Sequence, residues 1–294
     1  MSQDLSPHES LLPVRGLLGT WEGAGRGDYP TIEPFTYSEE VVFGHVGKPF
    51  LAYAQATRRG ATGVREPEVL EDEHGKLVVA AIATYGDTIH SFVQRDEYGG
   101  VHRPGYVRVD HDPLSSPIGL SAIDHVVGNV ELGAMNVWSG FYERTLGFSE
   151  FRHFSDEDIS TEYTALMSKV LWDGVGRVKM PINEPAEGRK RSQIEEYLDA
   201  YGGPGVQHLA LSTGDIVATV RQLRERGVSF LTVPDEYYED ARERVGDVDE
   251  SWDDLRELGI LVDRDDEGYL LQIFTEPVED RPTVFYEVIE RHGA

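Results

Sequence analysis

Two stretches of the chain repeat one pattern of apolar and polar residues. The first, IDHVVGNVELGAMNVWSGFYERTLGF from Ile123, predicts a short β-branched strand, a loop and an amphipathic helix that stops at Gly147. The second, VQHLALSTGDIVATVRQLRERGVSF from Val206, repeats that order and stops at Gly227. The residues predicted to face inward on the two helices are Val137, Phe141 and Leu146, and Ile216, Val220 and Leu223. A repeat of this kind indicates a fold built by duplication.

Two further segments, starting at Asp72 and Asp265, also resemble each other. Each predicts a hairpin turn at a glycine, Gly75 or Gly268, followed by an apolar strand, a polar connection and another strand. The complete unit is therefore a strand, a helix and several strands, and residues 113–294 hold two copies of it. Two such copies could curl into one half-barrel around a shared centre, which is an α+β fold.

Residues 51–112 hold only the back half of another copy. LAYAQATRRGA predicts a helix from Leu51 that ends near Gly60, and a strand follows around Val64 before the hairpin at Gly75. HDPLSSPIG, residues 111–119, is the clearest linker because proline, serine and glycine cluster there. We therefore predict three segments, namely an amino-terminal segment 1–50, an incomplete unit 51–112 and a paired unit 113–294.

The first fifty residues have a different pattern. They are rich in glycine and aromatic residues and place apolar residues at alternate positions, Val41 and Phe43, as strands of an antiparallel barrel do. No helix follows their glycines, so these glycines serve strand geometry rather than phosphate binding. The amino-terminal segment is therefore predicted to be an antiparallel β fragment.

Composition excludes several classes of function. The chain has 294 residues and no cysteine, so any metal must be held by nitrogen and oxygen ligands. A net charge of −26 repels phosphate backbones and anionic lipid, which argues against nucleic-acid and membrane-surface roles. The acidic amino terminus lacks the basic and apolar stretches of a leader, and no segment approaches a membrane span. We therefore expect a cytoplasmic protein.

Three residues stand out as candidate metal ligands. His125 and His208 hold equivalent places on the first strand of each copy, 208 − 125 = 83 residues apart, so a two-fold arrangement brings both rings to one centre. Glu287 lies in the last strand of the second copy, flanked on its own face by Phe285 and Ile289, where a bare carboxylate is costly. Two imidazoles and one carboxylate are the ligand set of non-haem iron(II) oxygenases. Taken singly, each has an ordinary alternative as a hydrogen-bonded core or surface residue.

Several long motifs resemble those of 4-hydroxyphenylpyruvate dioxygenases. They include DEHGKLVVAAIATYGDT, IDHVVGNVELG, KRSQIEEYLDAYGGPGVQHLAL and GYLLQIFTEPVEDRPTVFYEVIERHG, and the resemblance runs from about Leu51 to the end. It implies tandem βαβββ modules of the vicinal-oxygen-chelate type, with Fe(II) held by the positions that match the family's ligands. Those positions are His125, His208 and Glu287, which the repeat also indicates.

The resemblance also implies a reaction and a pocket. The reaction converts 4-hydroxyphenylpyruvate and O2 to homogentisate and CO2 in tyrosine catabolism, so the partners are a small 2-oxo acid and O2. The polar positions that orient substrate and the aromatic positions near it are Ser168, Asn183, Gln193, Gln207 and Gln272, with Phe274 and Phe285. Without the resemblance, turn and strand hydrogen bonding is the better reading of the polar residues, and core packing that of the phenylalanines.

The sequence departs from this family at both ends. The opening strand and much of the helix of the first module are replaced, and the family's closing loop and helix do not follow ERHG, so we expect iron binding to survive better than turnover. The replacement resembles nitrobindin-type haem-binding barrels through a GxWxGxG pattern starting at Gly19, whereas His45 is better read as a surface residue than as a haem ligand. Exposed strand edges of an incomplete barrel favour pairing with another chain, as in a homo-oligomer, or aggregation.

The alternatives differ in class. A hydroxymandelate synthase uses the same substrate but oxidises its side chain, so product analysis separates it from the dioxygenase. A haem-binding barrel would give a Soret band on haemin titration, and we expect none. An inactive iron-binding fusion would bind one Fe(II) and consume no oxygen.

Overall fold

The computed structural model describes residue 12 and residues 18–29, 32–44, 52–58, 60–109, 116–154, 166–186, 192–264 and 268–293. The chain divides into two compact units. The first comprises Met1–Thr62 with Phe141–Gly147, and the second comprises Gly63–Gly140 with Phe148–Ala294. The segment limits expected at residues 50 and 112 stay predictions. His45 lies outside the described residues.

The first unit contains an antiparallel sheet of three strands, β1 (Gly19–Tyr29), β2 (Ile32–Gly44) and β3 (Ala52–Arg58). Antiparallel strands were predicted here, but the helix predicted from Leu51 is wrong. Residues Ala52–Arg58 instead pair with β2, with Gln55 opposite Val41 and Ala56 opposite Glu40. Alanine, leucine and glutamine are good helix formers, but helix propensity amounts to less than about 1 kcal/mol per residue, and pairing with a neighbouring strand outweighs it here.

The second unit begins with a small antiparallel sheet, formed by β4 (Gly63–Asp72), β5 (Gly75–Ala83) and β6 (Ile89–Gln94). The strand near Val64 and the hairpin at Gly75 are thus confirmed. Gly75 is required at the turn because its φ is +117° and a Cβ there would lie 2.1 Å from the Glu97 carbonyl oxygen. One face of this sheet is covered, since Leu77, Val79 and Tyr98 form a buried cluster.

The remaining elements build one eight-stranded sheet from two modules. The first module has β7 (Leu120–Asn129), α1 (Met135–Leu146), β8 (Ser149–Phe154), β9 (Leu166–Trp172) and β10 (Lys179–Pro185). Helix α2 (Gln193–Tyr201) connects it to the second. The second has β11 (Gly205–Thr213), α3 (Ile216–Glu225), α4 (Asp235–Val245), α5 (Trp252–Leu258), β12 (Leu261–Arg264), β13 (Tyr269–Phe274) and β14 (Phe285–His292). The predicted duplication of strand, helix and strands is confirmed.

The strand order β12-β13-β14-β11-β7-β10-β9-β8 relates the two modules by an approximate two-fold axis. The first strands, β11 and β7, pair antiparallel at the centre, and each also pairs parallel with the last strand of its own module. Ala210 lies opposite His125 and His208 lies opposite Val127, so the axis passes near the pair Leu209 and Val126. The two histidines are therefore symmetry equivalents on one face of the sheet.

The other face of the second module is covered by its helices. Buried residues of α3, α4, α5, β12, β13 and β14 form one core that includes Ile216, Val220, Leu255 and Leu271. Helix α3 thus faces inward as predicted, whereas Val137 on α1 is 62% exposed and its predicted inward position is wrong. None of the helices in the described ranges is both long and apolar enough to cross a bilayer.

Candidate metal centre

Three side chains from three strands converge on the face of the eight-stranded sheet that lies opposite the helices of the second module. The Glu287 Oε2 atom lies 3.2 Å from Nε2 of His125 and 3.1 Å from Nε2 of His208. The two imidazole rings lie 5.6 Å apart between centroids. The Glu287 side chain is 2% exposed, and both histidines are largely buried. The structure therefore brings together the three residues that the sequence singled out.

Strand register produces this convergence. Glu287 on β14 pairs in parallel with Ala210, which lies two residues beyond His208 and opposite His125. Residues two apart on a strand share a face, so all three side chains project from the same side of the sheet. In the first module the position equivalent to Glu287 is Pro181, because Ile182 pairs with Gly128 as Val288 pairs with Leu211. The Pro181 side chain has no atom that could bind a metal. The cluster therefore offers three candidate protein ligands, and the fourth equivalent position offers none.

Each histidine follows an extra residue in its strand. The register of β11 against β7 shifts between Val206 and His208, so Gln207 has no cross-strand partner on β7. A second shift leaves Asp124, just before His125, without a cross-strand partner on β11. Such bulges break the alternation of side chains, so neighbouring residues can reach one site. Asp124 Oδ1 lies 2.8 Å from Nδ1 of His125, and Gln207 Oε1 lies 3.0 Å from Nδ1 of His208. Each bulge thus supplies the acceptor that fixes the ring of the next residue.

These two acceptors differ in charge. Asp124 accepts hydrogen bonds from both Nε and an Nη of Arg291, at 3.0 and 2.8 Å, and Lys179 Nζ lies 3.5 Å away. Burial would raise the pKa of Asp124, but its hydrogen bonds with His125 and Arg291 hold it well below the usual range. A carboxylate therefore backs His125, whereas the neutral amide of Gln207 backs His208. Carboxylate–histidine pairs of this kind orient metal ligands and raise their basicity.

The charges of the three ligands depend on one another. Burial alone would lower the pKa of His125, but its hydrogen bonds to Asp124 and Glu287 outweigh burial and raise that pKa to about 9. Burial would raise the pKa of Glu287, yet hydrogen bonds to both imidazoles lower it to about 2. Burial also lowers the pKa of His208. At neutral pH the metal-free site therefore holds His125 as the imidazolium and His208 as the neutral imidazole, and a metal ion that binds Nε2 of His125 must displace the proton on that atom.

The donor set fits a divalent metal ion. With metal–ligand bonds of about 2.1 Å, neighbouring ligands in an octahedron lie about 3.0 Å apart, close to the two separations observed. The second oxygen of Glu287, Oε1, is buried and has no hydrogen-bond partner among the described residues. A buried carboxylate oxygen without a partner is costly, and a bound cation would offset that cost.

A cavity opens beside His208. Its walls include the predicted residues Asn183, Gln193, Gln207, Phe274 and Phe285. The ring of Phe285 stacks on His208 at 4.8 Å between centroids, and Phe274 meets the same imidazole edge-on at 5.9 Å. Two predicted residues lie elsewhere: Ser168 is buried on β9 opposite Asn183, and Gln272 lies on β13 opposite Ile289. The substrate roles of all seven residues stay predictions.

A helix terminus positions Gln193 at the cavity. Gln193 is the first residue of α2, and Ser192 caps that helix by accepting a hydrogen bond from the Glu195 amide while Glu195 accepts one from the Ser192 amide. Ser192 is 2% exposed and also lines the cavity with Tyr197. The Ser-x-x-Glu spacing is visible in the sequence and could have indicated this capping box. No comparable sequence pattern indicates Asp124 or Arg291. Asp124 reaches His125 through a bulge in β7, and Arg291 bonds Asp124 from a position 167 residues later in the chain.

Replacing Asp124 with asparagine is expected to weaken metal binding by about 10- to 100-fold while leaving the fold intact. The amide keeps the size of the side chain but removes the charge that fixes His125 and makes it basic. An anaerobic Fe(II) titration monitored by competition with a chelator measures the change. The exposed Asp96→Asn variant serves as the control. Unchanged affinity in Asp124→Asn would show that Asp124 does not support the centre.

Comparison with known proteins places this architecture in a class. Residues 122–273, which span most of both modules, match the Glyoxalase/Bleomycin resistance protein/Dioxygenase superfamily. The chain is 48% identical over 250 residues to a 4-hydroxyphenylpyruvate dioxygenase of Dictyostelium discoideum, covering 82% of this chain and 68% of that protein. It is 47% identical over 250 residues to the Yarrowia lipolytica protein of the same name, covering 82% and 64%. The chain belongs to the 4-hydroxyphenylpyruvate dioxygenase family.

Two further comparisons describe the fold and the amino terminus. A solved triple mutant of 4-hydroxymandelate synthase from Streptomyces coelicolor is similar, with a TM-score of 0.67, 32% identity and coverage of 80% of this chain and 66% of that one. Residues 10–94 match the model of a THAP4-like, heme-binding beta-barrel domain. That match extends beyond residues 1–50, the segment for which the sequence motifs indicate this resemblance. It includes β3, β4, β5 and β6.

Proposed function

We propose that the chain is an Fe(II)-dependent dioxygenase that converts 4-hydroxyphenylpyruvate and O2 to homogentisate and CO2. The observation that carries the proposal is the convergence of His125, His208 and Glu287 next to a cavity with aromatic walls. The names of the similar proteins support the same activity. The chain spans 64% and 68% of the length of the two relatives compared above. The cytoplasmic location and the homo-oligomer stay predictions.

The protein's own residues account for binding and orientation. His125, His208 and Glu287 would hold the iron, which when bound supplies the redox chemistry that activates oxygen. Phe274 and Phe285 offer apolar faces to the substrate ring.

Three polar side chains in the cavity wall are available to bind the polar ends of the substrate. With Nε2 of His208 on the metal, its Nδ1 would donate to Oε1 of Gln207, so the amide nitrogen of Gln207 is the group that remains to donate to a substrate. Asn183 and Gln193 reach the cavity from β10 and from the first turn of α2. These groups suit a substrate with a 2-oxo acid at one end and a phenol at the other.

The deciding experiment is product analysis. The chain is loaded with Fe(II) anaerobically, 4-hydroxyphenylpyruvate is added, and oxygen uptake is followed as air is admitted. We expect oxygen consumption that depends on both iron and substrate, with homogentisate and CO2 formed in equal amounts. Hydroxymandelate as the product would assign the chain to the synthase instead. Iron binding without any oxygen uptake would leave an inactive iron-binding protein.

Haem binding is a second candidate function, favoured by the match of residues 10–94 to a heme-binding barrel domain. It would belong to the amino-terminal part of the chain. Haemin titration decides it, because a saturable Soret band would establish haem binding and a featureless titration would exclude it.

A further inference from the structure

A second cluster of metal-ligating side chains lies on the opposite face of β14 from Glu287. Glu290 and His292 alternate along this strand with Glu287 and Ile289, and so project toward the helices. Glu250 joins them from the segment that precedes α5. His292 Nε2 lies 3.0 Å from Glu250 Oε1 and 3.1 Å from Glu290 Oε1. Potential ligand atoms of these three residues all lie within 4.8 Å of one another.

The groups around the cluster orient each ligand. The second oxygen of Glu290 accepts a hydrogen bond of 2.7 Å from the Ile216 amide, and the second oxygen of Glu250 accepts one of 3.1 Å from the Tyr269 hydroxyl. The Tyr269 ring also stacks on His292, with centroids 4.4 Å apart and planes 5° apart. Each carboxylate therefore turns its remaining oxygen toward the same imidazole nitrogen. Fixed ligands with such partners are typical of metal sites.

Comparison of the two modules separates the residue that caps a helix from the residues that serve some other purpose. Glu184 holds the place in the first module that Glu290 holds in the second, and it accepts a 2.9 Å hydrogen bond from the Met135 amide at the start of α1. Capping the module helix therefore requires only this glutamate. The place equivalent to His292 is Ala186, which has no ligand atom. His292 and Glu250 are thus additions that helix capping does not explain.

Hydrogen bonds alone do not explain both short contacts of His292 Nε2. One Nε2 carries at most one hydrogen, which cannot point well at two carboxylate oxygens 3.0 and 3.1 Å away. A cation bound by one nitrogen and two oxygens satisfies all three atoms at once. For bonds of about 2.0–2.1 Å in a tetrahedron, ligand atoms lie about 3.3 Å apart, near the observed separations. At the proposed iron site one atom likewise lies close to two others, since Oε2 of Glu287 lies 3.2 and 3.1 Å from two imidazole nitrogens.

We propose that Glu250, Glu290 and His292 form a second site, for Zn2+ or a similar divalent cation. Nitrogen and carboxylate ligands suit zinc, and the His292 side chain, 27% exposed, leaves room for water as the fourth ligand. The ion would join the end of β14, the start of α3 and the segment before α5. It would therefore stabilise the packing of the helices on the sheet. This proposal does not depend on the reaction at the iron site.

Zinc stoichiometry and thermal stability test the site. Zn2+ alone is titrated into metal-free protein, and bound metal is counted after equilibrium dialysis. We expect two equivalents for the parent chain, one for Glu287→Ala, one for Glu250→Gln and none for the double variant. In the Glu287→Ala background, Zn2+ should raise the Tm, and the addition of either Glu250→Gln or His292→Gln should remove that rise. Glu257→Gln, an exposed substitution on α5, is the matched control.

Other outcomes overturn the proposal. One equivalent in the parent chain and none in Glu287→Ala would show that the second site binds no zinc and that Glu250 and His292 are only hydrogen-bonded to each other. Two equivalents that persist in both Glu250→Gln and His292→Gln would place the second ion elsewhere. Far-UV circular dichroism of each metal-free variant separates lost binding from lost folding, and two variants at different ligands keep the test decisive if one misfolds.

Discussion

Replacing Glu287 with alanine should abolish Fe(II) binding at the cavity and, with it, substrate-dependent oxygen uptake. The variant removes the only anionic ligand, whose Oε2 contacts both imidazoles, and it leaves His125 and His208 without the charge that balances the cation. Loss of a supporting carboxylate typically costs 10- to 100-fold in metal affinity, so loss of the ligand itself should exceed about 100-fold. Anaerobic Fe(II) titration and an oxygen electrode measure the two effects.

Two companion variants sharpen this test. Glu287→Gln keeps the shape of the side chain, so weak iron binding in that variant shows that charge rather than packing is required. The exposed Glu276→Gln, near the end of β13, should behave as the parent chain. Full oxygen uptake in Glu287→Ala would remove the carboxylate from the proposed ligand set.

Replacing Leu271 with alanine should destabilise the second unit by about 2–5 kcal/mol. Leu271 is 0% exposed and lies in the core between β13 and the helices, on the face away from the metal centre. Truncation removes buried methyl groups and leaves a cavity that a packed sheet cannot close. The free energy of unfolding in urea, measured without metal, gives the size of the effect.

The matched control is Leu132→Ala, because Leu132 lies in a loop of the same unit and is 59% exposed. Its effect should stay within about 0.5 kcal/mol. If both substitutions cost the same, the core that covers the outer face of the second module is not packed as described.

The duplicated module was predictable because the repeated order of strand and helix and the apolar periodicity within the helix indicate the same structure. The strand-and-helix pattern after Ile123 recurs after Val206, and apolar periodicity on α3 identified Ile216 and Val220 as core residues. Prediction was wrong where local preference and tertiary structure disagree. The alanine-rich segment after Leu51 pairs with β2 as a strand, and Val137 is exposed although its helix was read as amphipathic. Both outcomes depend on contacts with other parts of the fold, which the pattern within a single strand or helix does not show.

The candidate metal ligands could be proposed from the sequence for a specific reason. His125 and His208 occupy equivalent strand positions, and a two-fold relation brings equivalent positions together. The groups that hold these rings could not be found in the same way. Asp124 and Gln207 reach the site only because each strand gains one extra residue, which breaks the period of two on which face assignments rest. Alternation alone would have placed both of them on the opposite face of the sheet.

The central claim is that His125, His208 and Glu287 share one iron ion, and an anaerobic Fe(II) titration tests it most directly. The titration is best made in the Glu250→Gln background, so that only the cavity site is counted. We expect one equivalent of Fe(II) to bind, and the further substitution His125→Ala to remove it. Binding that remains as tight after His125→Ala would contradict the proposed centre.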